Sequence, residues 1–372
     1  MRRVMCVFGT RPEAIKLAPV VRALRAQSDL FQCRVCVTAQ HREMLDQVLS
    51  LFEIDADYDL DIMTPDQTLA GIMARAVERL DRVFCIEKPD IVLVQGDTTT
   101  VLCAALVAYY HRIKVGHVEA GLRTGNKYAP FPEEMNRRLV SQLTDFHFAP
   151  TENARDRLLA EGHARDSIVV TGNTVVDALV WVRDFVRRSP PNLPEEVRKV
   201  LSDRRVILVT GHRRESFGAG FDRICRAIRD VVERYPDVAV VYPVHLNPNV
   251  QKPVREILGG LERVVLIQPL SYECFVWLMD RAHLVLTDSG GVQEEAPSLG
   301  KPVLVMREIT ERPEGLACGN ARLVGTSRER ILQECGRLLD DPEHYEKMST
   351  ACNPYGDGRA AQRILAVLRR DI

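Results

Sequence analysis

The chain has no apolar run approaching the ~20 residues that a membrane-spanning helix needs, so no membrane partner is expected. Met1-Arg2-Arg3 carries the charge of a leader peptide, but the apolar run behind it stops at Gly9, which suits a first strand instead. An excess of either charge is also missing: 50 Lys and Arg oppose 51 Asp and Glu, for a net −1. No global basic field therefore points to nucleic acid. A disulfide framework is missing too. The ten cysteines, Cys6, Cys36, Cys103 and Cys225 among them, sit mostly inside apolar patterns. The one C-x-x-C, Cys33 to Cys36, falls on an expected strand, where alternation sends the two thiols to opposite faces. Buried, reduced thiols in a cytoplasmic protein are the expectation. G-x-G-x-x-G, Walker, G-x-S-x-G and H-E-x-x-H motifs and close His/Cys spacings are all lacking. These absences argue against a nicotinamide site, an ATP loop, a serine hydrolase and a zinc hydrolase; no cofactor and no metal are expected.

What is present is an alternation of strand and helix over 372 residues, long enough for two domains. Val4–Phe8, Arg34–Thr38, Ile91–Val94, Lys114–Val118 and Phe146–Ala149 read as short strands. Amphipathic helical patterns over Glu13–Ala26, Glu43–Phe52, Leu69–Phe84, Thr98–Tyr110 and Glu133–Leu143 separate them. Strands divided by helices form a parallel, doubly wound sheet. Ile168–Thr171 and a helix near Val175–Val186 lead to the turn-rich connector Arg188–Pro194, after which the alternation restarts at Val206–Val209. Val238–Tyr242, Val264–Ile267, Leu284–Thr287, Pro302–Met306 and Arg322–Val324 continue it. The fold class expected is α/β, two Rossmann-like doubly wound domains facing a cleft.

Ligands of such sheets bind at the carboxyl ends of the strands, and the unusual residues collect there. Gly9-Thr10-Arg11, Gln95-Gly96-Asp97, Glu119, Gly211-His212-Arg213-Arg214 and Ser289-Gly290-Gly291 each follow an expected strand. A strand turning on Ser-Gly-Gly into a helix offers bare N–H groups and a positive dipole end to a phosphate. Glu295, one to two turns on, is placed to hold both hydroxyls of a ribose, which suggests a nucleotide-sugar. Each remaining residue has two readings. Arg11 and Lys16 are cations over a phosphate or sugar, or surface charges on a first helical turn. Asp97 is catalytic, or caps the next helix. Glu119 is functional, or is paired with Arg123. Glu133 is catalytic, or complements a helix N-terminus beside Glu134. Arg312 faces the glycine turn, or is a loop cation. His212, flanked by glycine and two arginines, favours function; His245 is evenly poised.

With those residues in view, the sequence resembles the non-hydrolysing UDP-N-acetylglucosamine 2-epimerases of bacteria over essentially its whole length. The resemblance is carried by Phe8–Ala14, Gln95–Thr99, His117–Arg123, Pro132–Glu134, Thr210–Arg214, Thr287–Glu295 and Asn353–Gly358. It implies a glycosyltransferase-B-like fold, with an N-terminal domain over 1–170, a nucleotide-binding domain over 171–357, and a C-terminal helix near 358–372 crossing back to the first. It further implies a homodimer that interconverts UDP-GlcNAc and UDP-ManNAc. Arg11, Lys16, Asp97, Glu119, His212, Ser289, Gly290, Gly291, Glu295 and Arg312 match nucleotide-sugar contacts, with Leu270 and Phe275 at the base. Asp97, Glu119, Glu133 and His212 match catalytic positions. Gln40, His41, Arg42 and His245 match a second, activating UDP-GlcNAc site in some relatives, although Glu43 stands where some of them have glutamine. Alternatives are a hydrolysing 2-epimerase releasing ManNAc and UDP, a glycosyltransferase on the same scaffold, and a non-catalytic nucleotide-sugar sensor.

Overall fold

The computed structural model describes residues 1–38, 42–64 and 67–372, the side chains of 42–44 excepted. The expected activator residues Gln40 and His41, and the Arg42 side chain, lie outside the described residues. The chain divides into two compact units, Met1–Ala178 with Tyr355–Ile372, and Leu179–Pro354.

The first unit runs β1 (Arg2–Phe8), α1 (Arg11–Arg25), β2 (Phe31–Val37), α2 (Arg42–Leu51), β3 (Tyr58–Asp59), α3 (Leu69–Glu87), β4 (Ile91–Gln95) and α4 (Thr99–Tyr110). It continues through β5 (Lys114–Val118), α5 (Glu133–Leu143), β6 (Phe146–Ala149), α6 (Glu152–Ala160), β7 (Ile168–Val170) and the start of α7 (Thr174–Arg188). The seven strands lie in the order β3-β2-β1-β4-β5-β6-β7, every pairing parallel. Parallel strands are covered on both faces, which is why β4 is buried at all five positions. The helix α4 is apolar all round because it is enclosed on several sides: it packs beside α3 and α5, and Val101 through Ala105, Val107 and Ala108 carry the core with Met5, Val92 and Phe84. β3, a two-residue edge strand paired with Cys36 and Val37, leaves too short a pattern to be anticipated.

The second unit runs α8 (Glu195–Asp203), β8 (Arg205–Thr210), α9 (Ala219–Arg234), β9 (Val238–Pro243), α10 (Pro248–Leu258), β10 (Val264–Ile267), α11 (Tyr272–Arg281) and β11 (Leu284–Thr287). Then follow α12 (Gly290–Glu295), β12 (Val303–Val305), α13 (Pro313–Cys318), β13 (Ala321–Leu323), α14 (Arg328–Asp340) and α15 (Pro342–Ser349). Its strand order is β10-β9-β8-β11-β12-β13, again all parallel. Ile207, Val209, Phe221, Ile228, Tyr242, Leu286 and Leu338 belong to a separate core.

The last helix, α16 (Ala360–Asp371), belongs to the first unit and packs on α1. Asp177 of α7 caps it, its carboxylate accepting from Ala360 N–H at 3.1 Å and Ala361 N–H at 2.9 Å. A carboxylate at a helix N-terminus satisfies orphan donors and complements the dipole.

Candidate active site

In each sheet the strand order reverses at one place, and a crevice opens there at the carboxyl ends. In the first unit the reversal lies between β1 and β4, in the second between β8 and β11. The loops after these four strands carry Gly9–Arg11, Gly96-Asp97, Gly211–Arg213 and Asp288–Gly291. Topology alone thus concentrates the polar residues at two ligand positions.

The β1 and β4 loops are held together by Glu13, which sequence patterning had placed at the start of α1. The helix begins at Arg11 instead, because the Glu13 carboxylate reaches back to Gly9 N–H at 3.0 Å and Thr10 N–H at 2.7 Å. Its other oxygen accepts from the Thr98 hydroxyl at 2.6 Å, across to the β4 loop. Burial pushes the Glu13 carboxyl up despite these donors. Gly9 is obligatory in this seam: a Cβ there would lie 2.0 Å from Thr38 Oγ1. Arg11 opens α1 half-buried.

Glu119 ends the run through β5 with φ at +66°, a left-handed conformation that is uncommon for a side-chain-bearing residue and collects at functional sites. Its carboxylate pairs with Lys16 and accepts from Gln95 Nε2 at 3.1 Å and Asn173 Nδ2 at 3.3 Å. Lys16 and Glu119 are 12% and 9% exposed in their side chains, so Lys16 is no surface charge. Arg123, the sequence-local candidate partner, instead forms a two-pronged pair with Glu161, with both contacts at 2.8 Å. The possible Glu119–Arg123 pair is therefore corrected: Arg123 is taken by Glu161, and Glu119 by Lys16, Gln95 and Asn173.

Asp97 does not cap α4. Thr98 occupies the cap, its hydroxyl accepting from Val101 N–H at 3.4 Å. Asp97 is held instead by Arg137 of α5, at 2.9 Å from Nε and 2.6 Å from an Nη, while Asn136 Nδ2 donates to the Asp97 carbonyl at 2.9 Å. Glu133 opens α5, half-buried and one turn before Asn136, hence on the same helix face as the residue that grips Asp97. Glu134 faces inward and is fully buried. Behind Asp97, buried His117 contacts the Gly96 carbonyl through Nε2 at 2.7 Å. Burial lowers that imidazole to about 3, so it is neutral and donates.

In the second unit Asp288 organises the site, a role the sequence reading missed although Asp288 directly precedes the Ser-Gly-Gly turn. It is 1% exposed. One oxygen accepts from His212 N–H at 2.7 Å and Arg213 N–H at 2.8 Å; the other lies 3.4 Å from His212 Nδ1. The His212 ring stacks on His245, 5.5 Å between centroids. Burial pushes the His212 imidazole below its ordinary value; Asp288 pulls the other way, and His245 and Arg213 add to the lowering. Nδ1 is the His212 ring nitrogen nearer Asp288, and Nε2 is the farther one. His245 is itself exposed, with Nδ1 accepting from Asn247 N–H at 3.1 Å.

The glycine turn is narrower than expected. Ser289 N–H donates to Thr287 Oγ1 at 2.9 Å, which leaves Gly290 and Gly291 as the first-turn donors of α12. Arg312 lies against that turn: a Cβ on Gly290 would sit 3.3 Å from its Cζ. Glu294 holds the guanidinium at 2.8 Å from Nε, and Gln293 accepts from Thr310 at 2.7 Å, so α12 and the loop after β12 are tied twice. Glu295 is 7% exposed and accepts from the Tyr272 hydroxyl at 2.7 Å. That bond links α12 to the start of α11, where Leu270 just precedes the helix and Phe275 lies in its first turns, both half-buried.

All ten cysteines are free; five are buried, two half-buried and three exposed, so burial is less uniform than expected. The spacing rules found no metal-ligand set, yet the fold brings Asp81, Cys85 and His111 together from α3 and the end of α4. No helix of the described residues is long and apolar enough to cross a membrane.

Residues 22–369 match the family profile described as UDP-N-acetylglucosamine 2-epimerase. The chain is 59% identical over 370 residues to the UDP-N-acetylglucosamine 2-epimerase of Yersinia pestis, covering 99% of this chain and 98% of that one. It is 57% identical over 372 residues to that of Escherichia coli K12, covering 99% of each. The crystal structure of the Neisseria meningitidis UDP-GlcNAc 2-epimerase bound to UDP-GlcNAc superposes with a TM-score of 0.89 at 49% identity, covering 99% of this chain and 100% of that one. Two parallel sheets with alternating helices, matched across this length, give the glycosyltransferase-B-like fold class. The chain belongs to the UDP-N-acetylglucosamine 2-epimerase family.

Proposed function

We propose that this protein reversibly epimerises UDP-GlcNAc to UDP-ManNAc at C2, by eliminating UDP to give 2-acetamidoglucal and adding it back. The observation that carries this reading is a set of acids, Asp97 after β4, Glu119 after β5 and Glu133 at the start of α5, in a chain whose relatives carry the epimerase name. C2–H of the sugar has no carbonyl beside it, and a carboxylate with a pKa of ~4.3 cannot remove the proton unaided. Departure of UDP from C1 creates an oxocarbenium whose C2–H is far more acidic.

In this reading the second unit stabilises the leaving diphosphate. Gly290 and Gly291 N–H groups and Arg312 supply donors, one of which is worth ~3 kcal/mol when the charge develops. A diphosphate arriving beside His212 favours uptake of a proton at Nε2, because Asp288 already supports the cation from the other side. Glu295 takes the ribose hydroxyls, and Leu270 and Phe275 flank the base. In the first unit Arg11 and Lys16 provide positive charge, and the three carboxylates favour the oxocarbenium as in glycosidases. Two of them serve the two C2 faces as base and acid. Gln40, His41, Arg42 and His245 are the candidates for an activating second UDP-GlcNAc. No cofactor or metal is required by this sequence of steps.

Incubation with UDP-GlcNAc in D2O, followed by NMR, tests it. The expected outcome is UDP-ManNAc together with deuterium at C2 of both epimers. Full retention of protium at C2 would overturn the elimination route, and free ManNAc accumulating in step with UDP would establish hydrolysis instead. We also propose a cytoplasmic homodimer. The free cysteines favour a reducing compartment, and light scattering on a sizing column is expected to give twice the 42.0 kDa chain mass.

A further inference from the structure

We propose that Asp81, Cys85 and His111 form a binding site for a zinc-like divalent cation, remote from the residues that act on the nucleotide-sugar. Asp81 and Cys85 are one helical turn apart on α3, hence on one face. His111 is the C-cap of α4, packed beside that helix. One ligand atom from each lies within 4.8 Å of the other two. Around a tetrahedral zinc with Zn–N and Zn–S bonds of ~2.0 and ~2.3 Å, ligand atoms stand roughly 3.3–3.7 Å apart. Small rotations of the exposed Asp81 and Cys85 side chains reach that spacing.

The imidazole is already aimed. His111 Nε2 lies 2.7 Å from Asp81 Oδ1, and the Phe84 ring abuts it edge-on at 6.4 Å between centroids. A cation binds between Nε2 and Oδ1 with the single imidazole proton on Nδ1, and Cys85 joins as thiolate, its proton passing to solvent. Each ion bound therefore releases the thiol proton. Thiolate with imidazole selects a borderline ion such as zinc over magnesium or calcium, which prefer oxygen cages. The fourth position opens toward a recess of about 740 Å³ that Cys85 and His111 line with Lys88 and Arg112. Those two cations make an anion or water the natural fourth ligand. The recess also includes Arg3, at the start of β1, and Lys114, which begins β5, so it lies at the amino ends of the strands. Glu119 and Asp97 are at the opposite end, a strand length of roughly 17 Å away for five residues.

The test uses the full chain, reduced, stripped with chelator and titrated anaerobically with cobalt(II). A thiolate-to-cobalt charge-transfer band and the intense visible bands of four-coordinate cobalt are expected, saturating at one ion per chain and displaced by zinc. Cys85→Ser is expected to abolish the charge-transfer band and weaken zinc binding by ~100-fold or more, with catalytic turnover in metal-free buffer unchanged. Asp81→Asn and His111→Ala weaken binding without removing the band's thiolate origin. Absence of the bands in the unmodified chain would overturn the site. So would their persistence in Cys85→Ser, which would assign the ion to another of the ten cysteines.

Discussion

Glu119→Gln is expected to lower turnover of UDP-GlcNAc by ~10³-fold, within the 10²–10⁴ range of a lost acid–base group. That factor corresponds to ~4 kcal/mol of transition-state stabilisation. The substitution keeps the size and one acceptor oxygen of a side chain whose carboxylate meets Lys16, Gln95 and Asn173. It removes the charge, and with it both the ability to carry a proton at C2 and the stabilisation of a cationic sugar ring. UDP binding, measured by calorimetry, should change by less than about threefold, because the donors assigned to the diphosphate lie on the second unit. A parallel loss of turnover and UDP affinity would make Glu119 a positioning group for the nucleotide. Turnover within threefold of the unmodified protein would remove it from the chemistry altogether.

The alternation of strand and helix was legible because buried parallel strands leave continuous apolar runs, Ile91–Val94 and Leu284–Leu286 being clear cases. The loops bearing the site were legible for the same reason, since polar residues directly after such runs stand at the carboxyl edge. Side-chain partners were not. Lys16 and Glu119 are 103 residues apart, Asp97 and Arg137 are 40, and His212 and Asp288 are 76. Sequence reasoning supplies neighbours instead, and so nominated Arg123 for Glu119 and a helix cap for Asp97. The first failed because Glu161, 38 residues from Arg123, takes both prongs of that guanidinium, while Glu119 meets Lys16 and Gln95. The second failed because Thr98, one residue later, offers a hydroxyl at the capping position. α8 was hidden differently: it follows a proline-rich stretch and buries only Val197 and Val200. The Asp81–Cys85–His111 group was invisible to spacing rules because its third member comes from a second helix.

Glu134→Ala should cost stability on a similar scale, about 3–5 kcal/mol, the usual penalty for removing one partner of a buried ion pair. The Glu134 side chain is inaccessible to solvent. It accepts from Thr124 N–H at 3.0 Å, Gly125 N–H at 3.2 Å, Arg137 at 3.2 Å and Arg138 at 3.3 Å. Alanine leaves both N–H groups and the Arg137 guanidinium without that acceptor, and Arg137 is the residue that holds Asp97. At ~2–4 °C per kcal/mol for a domain of this size, the melting point of the first unit should fall by roughly 10 °C. Activity falls with it, since the α5 start and the Asp97 loop lose their common anchor. The pH dependence has a definite sign. Burial alone would raise the Glu134 carboxyl, but the Thr124 and Gly125 N–H groups and Arg137 outweigh it and hold the group below the ordinary carboxylate range. A depressed folded-state value means the contribution is complete above the unfolded value of ~4.3 and is lost as pH falls through the lower folded value. Denaturant unfolding of the two proteins should therefore differ by a constant amount from pH 6 to 8, and the gap should close as the medium is acidified below about 4. Glu134→Gln, which retains an acceptor for the loop, should fall between them. A gap under 1 kcal/mol at neutral pH, or one that widens in acid, would show that the loop and helix are held by other means.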